Sequence, residues 1–271
     1  MTVYRMTNGP THSQVHVSIG MEQKRPYDQR ETRDTIITKD NSATNVRAVH
    51  ECPAILDTIR MFIIYTMSSN TGEIWTLFLA PFLGLPLPLI PIQILWINLV
   101  TDGLPGLALS VEPQESGIMK RPPRPPDESI FVHGMWQHIA GTGLLIAALS
   151  LGAQAWAWHG GSQNWQTMVF TVLTFSQLAH VFVIRSERES LFSIGFMGNL
   201  PLLGTVILTI GLHLFVIYHP FFNFIFHTTP LTMEELVICF TLPLAVLFEV
   251  EVEKWLIRRG WIYGLKTGES V

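Results

Sequence analysis

The sequence predicts an all-α membrane protein, a bundle of six transmembrane helices. Three observations predict it. Of 271 residues, 48% are hydrophobic and only 14% charged, with a mean hydropathy of +0.32, and such a composition with long apolar runs belongs to a polytopic membrane protein. No Lys, Arg, Asp or Glu occurs from Ile74 to Thr101. All seventeen basic residues fall in alternate connections, as the positive-inside rule requires of a chain crossing several times.

The segments follow in order. Residues 1–33 are polar, mixed in charge and aperiodic, and read as disordered; they contain no apolar signal-peptide core. The first apolar segment carries Ser68, Ser69, Asn70 and Glu73, and the second carries Asn98, Thr101 and Asp102; Leu85-Pro86-Leu87-Pro88 forms the short turn between them. Ile139–Trp158, Trp165–Ile184 and Leu200–Tyr218 are charge-free and long enough to span the hydrocarbon. The last span, about Met233–Trp255, is poorer, because Glu249, Glu251 and Glu253 follow its apolar run; that acidic run reads as a solvated helix end beside Lys254.

The N-terminal part to Arg60, the 112–133 loop, the 185–197 loop and the tail carry all the basic residues, so both termini are expected in the cytosol. Trp136, Trp158, Trp165, Tyr218 and Trp255 near span ends fit an aromatic belt. The Lys120–Pro126 stretch reads as a stiff, positively charged topology anchor. Cys52 and Cys239 are far apart in sequence, one cytosolic and one intramembrane in this topology, which argues against a disulfide or a metal pair. The lipid bilayer is the expected surrounding, and no nucleic-acid partner is expected.

The chemistry concentrates in the first two spans. An acid inside a membrane helix costs roughly 2.5–3.5 kcal/mol on insertion scales, so it has a task. Asn98, Thr101 and Asp102 are three and four apart and share one face of an α-helix; Asn70 and Glu73 share another. Gly103-Leu104-Pro105-Gly106 follows, weakening the helix and freeing backbone carbonyls. Two helices that each bring a carboxylate and an amide can converge on one hard cation, such as Ca²⁺ with its 6–8 oxygen ligands. Neither cluster contains Cys or His, which argues against a soft metal. The bland alternative, interhelical hydrogen bonding, suits Ser68, Ser69 and Asn70 but not Glu73 and Asp102. Gln177 in the fourth span could supply a neutral ligand oxygen or an interhelical hydrogen bond. His180 and His213 read as packed core histidines before proton carriers.

With these residues in hand, Pro91–Pro105 resembles the sixth transmembrane helix of P-type cation-transporting ATPases of the calcium-pump subfamily. Ser68-Ser69-Asn70-Thr71-Gly72-Glu73 is similar to the fifth, and Met119–Pro126 to the loop after the sixth, especially in bacterial members. The resemblance implies that the bundle corresponds to helices five to ten of such a pump. It implies that residues 34–55 are a remnant of the phosphorylation-domain end and stalk, 56–258 the transmembrane domain and 259–271 a cytosolic tail. It implies that Asn70, Glu73, Asn98, Thr101, Asp102 and Gln177 hold the transported ion, most readily Ca²⁺, with Mn²⁺ as the alternative. Gln177 stands where two-site pumps carry Glu, which fits a one-ion pump. The implied location is a bacterial plasma membrane.

The family's DKTGT phosphorylation motif, nucleotide-binding domain and first four helices are not in this sequence. The expectation is therefore a truncated transport half that hydrolyses no ATP alone. ATP and Mg²⁺ belong to the intact pump, whose N-terminal half would have to be supplied separately. The rival reading is a non-enzymatic membrane module that binds cations or partner helices without transport. Thr267-Gly268-Glu269-Ser270 matches a dephosphorylation motif of ion pumps but lies outside any domain, and reads as chance.

Overall fold

The computed structural model describes residues 2–3, 17–21, 35–37, 42–113, 134–186 and 189–262. The Lys120–Pro126 stretch, the Thr267–Ser270 match and the side chain of Cys52 lie outside the described residues. The chain divides into two compact units, residues 1–56 with 117–121, and residues 57–116 with 122–271. The first unit carries a three-stranded parallel sheet, β1 (Thr2–Val3), β2 (Val17–Met21) and β3 (Thr35–Ile37), in that spatial order. Thr2 pairs with Val17, and Ile19 with Thr35.

The second unit is helical. α1 (Ser42–Leu79) enters it at Asp57 and ends where Pro81–Leu83 makes one 3₁₀ turn closed by Gly84 at φ +69°. α2 (Pro91–Leu109) starts on Pro91, which needs no N–H in the first turn. α3 (Met135–His159), α4 (Trp165–Val183) and α5 (Leu200–Tyr218) follow. A short α6 (Pro220–Phe226) lies in the next connection. The last span is not one helix: α7 (Met233–Thr241) and α8 (Leu244–Arg258) are separated by a turn at Leu242–Pro243. Pro243 has no N–H for the ladder, and this breaks the expected Met233–Trp255 helix.

Among the described residues, four helices, α2 to α5, are long and apolar enough to cross a membrane, against the six expected. Asp57, Arg60 and Glu73 dilute the apolar character of α1, and the last segment is divided.

α4 is buried along nearly its whole length, with α3, α7 and α8 packed around it. That burial is why its polar residues, from Thr167 to His180, must find partners inside the bundle. α1 meets α3 at two glycines. A Cβ on Gly72 would stand 2.9 Å from Ile146 Cγ2, and one on Gly143 would stand 2.6 Å from Thr71 Cγ2. Small residues let membrane helices approach this closely.

Three polar clamps fix helix ends. Glu112, just past α2, accepts from Arg185 Nε at 2.8 Å and from Asn199 Nδ2 at 2.7 Å, while Asn199 Oδ1 caps α5 through Leu202 N–H. Lys254 Nζ donates to the Val183 carbonyl at 2.6 Å, capping the C-terminus of α4. Glu251, expected to be solvated, accepts from the Ser190 hydroxyl and from Leu191 N–H. Glu249 accepts from Thr142, and Glu253 pairs with His138. The acidic run is therefore interhelical rather than solvated, because α8 lays it against α3 and the chain after α4.

Candidate cation site

The site is assembled by α1, α2 and α4. Glu73 is buried on α1, and its carboxylate is the junction. Gln177 Nε2 of α4 donates to Oε1 at 3.1 Å, and Asn98 Nδ2 of α2 donates to Oε2 at 3.1 Å. Asn98 also donates to the Ile94 carbonyl one turn back, at 3.0 Å. Both amides thus turn N–H groups toward the acid, a geometry that fixes which end of each amide faces it.

α2 is not a uniform α-helix. Its centre, Ile97–Asp102, is π-helical, and α-helix resumes at Gly103 and continues through Pro105. The expected weakening at Gly103–Gly106 therefore appears as a π-turn just before it. Single π-turns inside α-helices are frequent at functional sites. Asn98 is exposed but still reaches Glu73, whereas Thr101 and Asp102 are buried.

Pro105 has no N–H to offer the Thr101 carbonyl four residues earlier. The Tyr65 hydroxyl of α1 donates to that carbonyl at 3.0 Å. Sequence reasoning missed Tyr65, although Pro105 was a signal that some donor must replace the lost backbone bond. It also missed Gly106, whose missing Cβ leaves room for Phe62; an added one would lie 2.9 Å from Phe62 Cε2.

Asp102 has Tyr65, Ser69 and the Glu73 charge for neighbours. Among the described residues, neither of its oxygens has a hydrogen-bond partner within bonding geometry, and the same holds for Ser68 Oγ, Ser69 Oγ, Thr101 Oγ1 and Gln177 Oε1. A buried polar atom left unpaired costs about 1–3 kcal/mol, more when charged. The set offers hydroxyl, amide and carboxylate oxygens, the donors that hard divalent cations prefer. Asn70 is half-buried one turn before Glu73 and, among the described residues, makes no side-chain hydrogen bond to the others. No cluster of three or more His, Cys, Asp or Glu suited to a metal occurs among the described residues, so any cation here relies on amide, hydroxyl and carbonyl oxygens besides two carboxylates.

The chain is similar to known proteins. The family described as "Cation transporting ATPase, C-terminus" matches residues 86–256. The "Calcium-transporting ATPase" of Bacillus subtilis (strain 168) is 40% identical over 235 residues, covering 86% of this chain and 26% of that protein. The "Calcium-transporting ATPase 1" of Bacillus cereus (strain ATCC 10987 / NRS 248) is 35% identical over 256 residues, covering 87% of this chain and 28% of that protein. The chain spans about a quarter of the length of these curated relatives. It belongs to the cation-transporting P-type ATPases and corresponds to their C-terminal part.

Proposed function

We propose that this chain is the part of a P-type pump's membrane domain that carries one side of the transported-cation site. The cargo is a divalent cation, Ca²⁺ before Mn²⁺. The observation that carries the reading is the Glu73 carboxylate joined to α2 and α4, beside an Asp102 whose oxygens are both unpartnered. The names of the two Bacillus relatives support calcium as cargo. The ligands are Asn70, Glu73, Asn98, Thr101, Asp102 and Gln177.

Binding has a definite chemical demand. The Glu73 oxygens are occupied by amide N–H groups of Asn98 and Gln177. A cation repels those N–H groups, so both amides turn to present their oxygens. The cation then replaces two neutral hydrogen bonds with charge–oxygen contacts, and its two positive charges balance Glu73 and Asp102. Release of the cation is coupled to uptake of H⁺ in exchange.

The bundle crosses a bacterial plasma membrane six times with both termini cytosolic, α1 and the α7–α8 pair supplying the crossings besides α2 to α5. ATP, Mg²⁺ and the phosphorylated Asp belong to the N-terminal portion of the intact pump. The test is equilibrium binding of radioactive Ca²⁺ to the purified chain in lipid nanodiscs, with Glu73→Gln and Asp102→Asn for comparison. Saturable binding lost in both variants supports the reading. Absence of binding in the wild type, or binding unaffected by both variants, leaves a membrane module without a cation site.

A further inference from the structure

Behind the cation site runs a second line of ionisable groups that the cation reading does not use. Tyr65 stacks on His180, with ring centroids 6.0 Å apart. His180 is fully buried on α4, and its Nε2 lies 3.1 Å from Nε2 of His138 on α3. His138 Nδ1 pairs with a carboxylate oxygen of Glu253 on α8, whose side chain is 12% exposed. The line thus leads from the bundle interior to the end of α8 that carries Lys254, Arg258 and Arg259.

The tautomers follow from the partners. A carboxylate accepts, so His138 Nδ1 carries a proton and donates it to Glu253. Two facing Nε2 atoms at 3.1 Å hold one proton between them. With both rings neutral it sits on His180, whose Nδ1 is then a bare acceptor, and Nδ1 is a buried atom with no partner. The other charged or titratable groups facing the line are Glu249 and Lys254 of α8 and Tyr65 of α1. Lys254 is anchored on the Val183 and Glu189 carbonyls, and Glu249 on the Thr142 hydroxyl.

We infer that His180, His138 and Glu253 form a proton-conducting chain between the interior of the bundle beside Tyr65 and the basic end of α8. A proton binds His180 Nδ1, forming one N–H bond. The Nε2 proton of His180 passes to His138 Nε2, and the Nδ1 proton of His138 passes to the Glu253 carboxylate, which releases it to water. Each hop breaks one N–H bond and makes one N–H or O–H bond, and no charge is left behind. Both rings end in the opposite tautomer, and a ring turn resets them. A merely packed histidine pair needs no carboxylate at its outer end, and here Glu253 supplies one. Ionisable groups inside a membrane bundle mark proton relays when they line up in this way.

The test uses the full chain with ¹⁵N-histidine in lipid nanodiscs, without added cation, so it reads the relay whether or not the cation site proves real. Exchange of the His180 ring proton with water is followed by NMR. In the wild type we expect it to keep pace with that of His138 despite full burial of His180. In Glu253→Gln, which keeps an oxygen to accept from His138 but cannot take a proton, His180 exchange should slow at least ~100-fold. His138→Gln should do the same, and if that variant fails to fold, Glu253→Gln decides alone. A His180 proton that does not exchange in the wild type, or exchange unchanged in Glu253→Gln, overturns the chain.

Discussion

Two buried carboxylates of this molecule have opposite surroundings. Glu235, at the start of α7, and Asp102, in α2, are 6% and 5% exposed. Glu235 is saturated: the Ser162 hydroxyl donates at 2.6 Å, the Asn164 amide at 2.8 Å and its own cap residue, Thr232, through N–H at 2.9 Å. Among the described residues, Asp102 has the Tyr65 and Ser69 hydroxyls as neighbours but accepts no hydrogen bond of good geometry. Equal burial therefore says nothing about role, whereas the hydrogen-bond partners do. A satisfied acid holds helices together. An unsatisfied one is kept against its own cost because something else needs its oxygens.

The contrast can be broken by substitution. Glu235→Ala should cost about 3 kcal/mol of stability, since it strands the Ser162 and Asn164 donors and removes the capping box with Thr232, yet should leave cation affinity within about twofold. Chemical unfolding in detergent, together with Ca²⁺ binding, reads both. Asp102→Asn should do the reverse, lowering affinity about 100-fold, roughly 2.7 kcal/mol, while the unfolding midpoint stays level or rises. A marked loss of stability in Asp102→Asn would show that this acid is structural after all.

Two smaller effects sharpen the comparison by disturbing the frame around Asp102. Gly143→Ala places a Cβ against Thr71 and should cost about 2 kcal/mol by overpacking α1 against α3, with cation affinity falling as Glu73 is displaced. Tyr65→Phe removes the donor to the Thr101 carbonyl and should cost about 1 kcal/mol. If it also weakens cation binding several-fold, the carbonyl is held in place for the ion.

Much of this was legible in the sequence. Charge-free runs locate α2 to α5, because lipid tolerates little else for twenty residues. Glu73 and Asp102 stand out for the same reason. What the sequence hides is whatever depends on backbone detail or distant pairing. The π-turn over Ile97–Asp102 is such a detail, since the spacing of Asn98, Thr101 and Asp102 suggests a regular α-helix. The acidic run of α8 has the composition of a solvated end, and only its packing against α3 turns Glu253 and Glu249 inward. Other features were readable but passed over. Pro243 forbids an unbroken last helix, and Thr232-Met233-Glu234-Glu235 is a capping-box pattern that marks where α7 begins.

The π-turn of α2 stores one residue more than an α-helix of the same rise would hold. A stored residue can be handed along the helix one peptide at a time, with the ends staying where they are. Each such step rotates a single side chain by about 100° about the helix axis. α2 is held at one end by Gln93, which donates to the Phe226 carbonyl, and at the other by Asn199, which donates to the Ala108 carbonyl and to Glu112. With both ends pinned, moving the bulge would turn a side chain such as Asn98 about the helix axis while the ends stay in place. The helix is built like a screw with a loose thread at its centre, its ends held while the π-turn between them has a residue to spare.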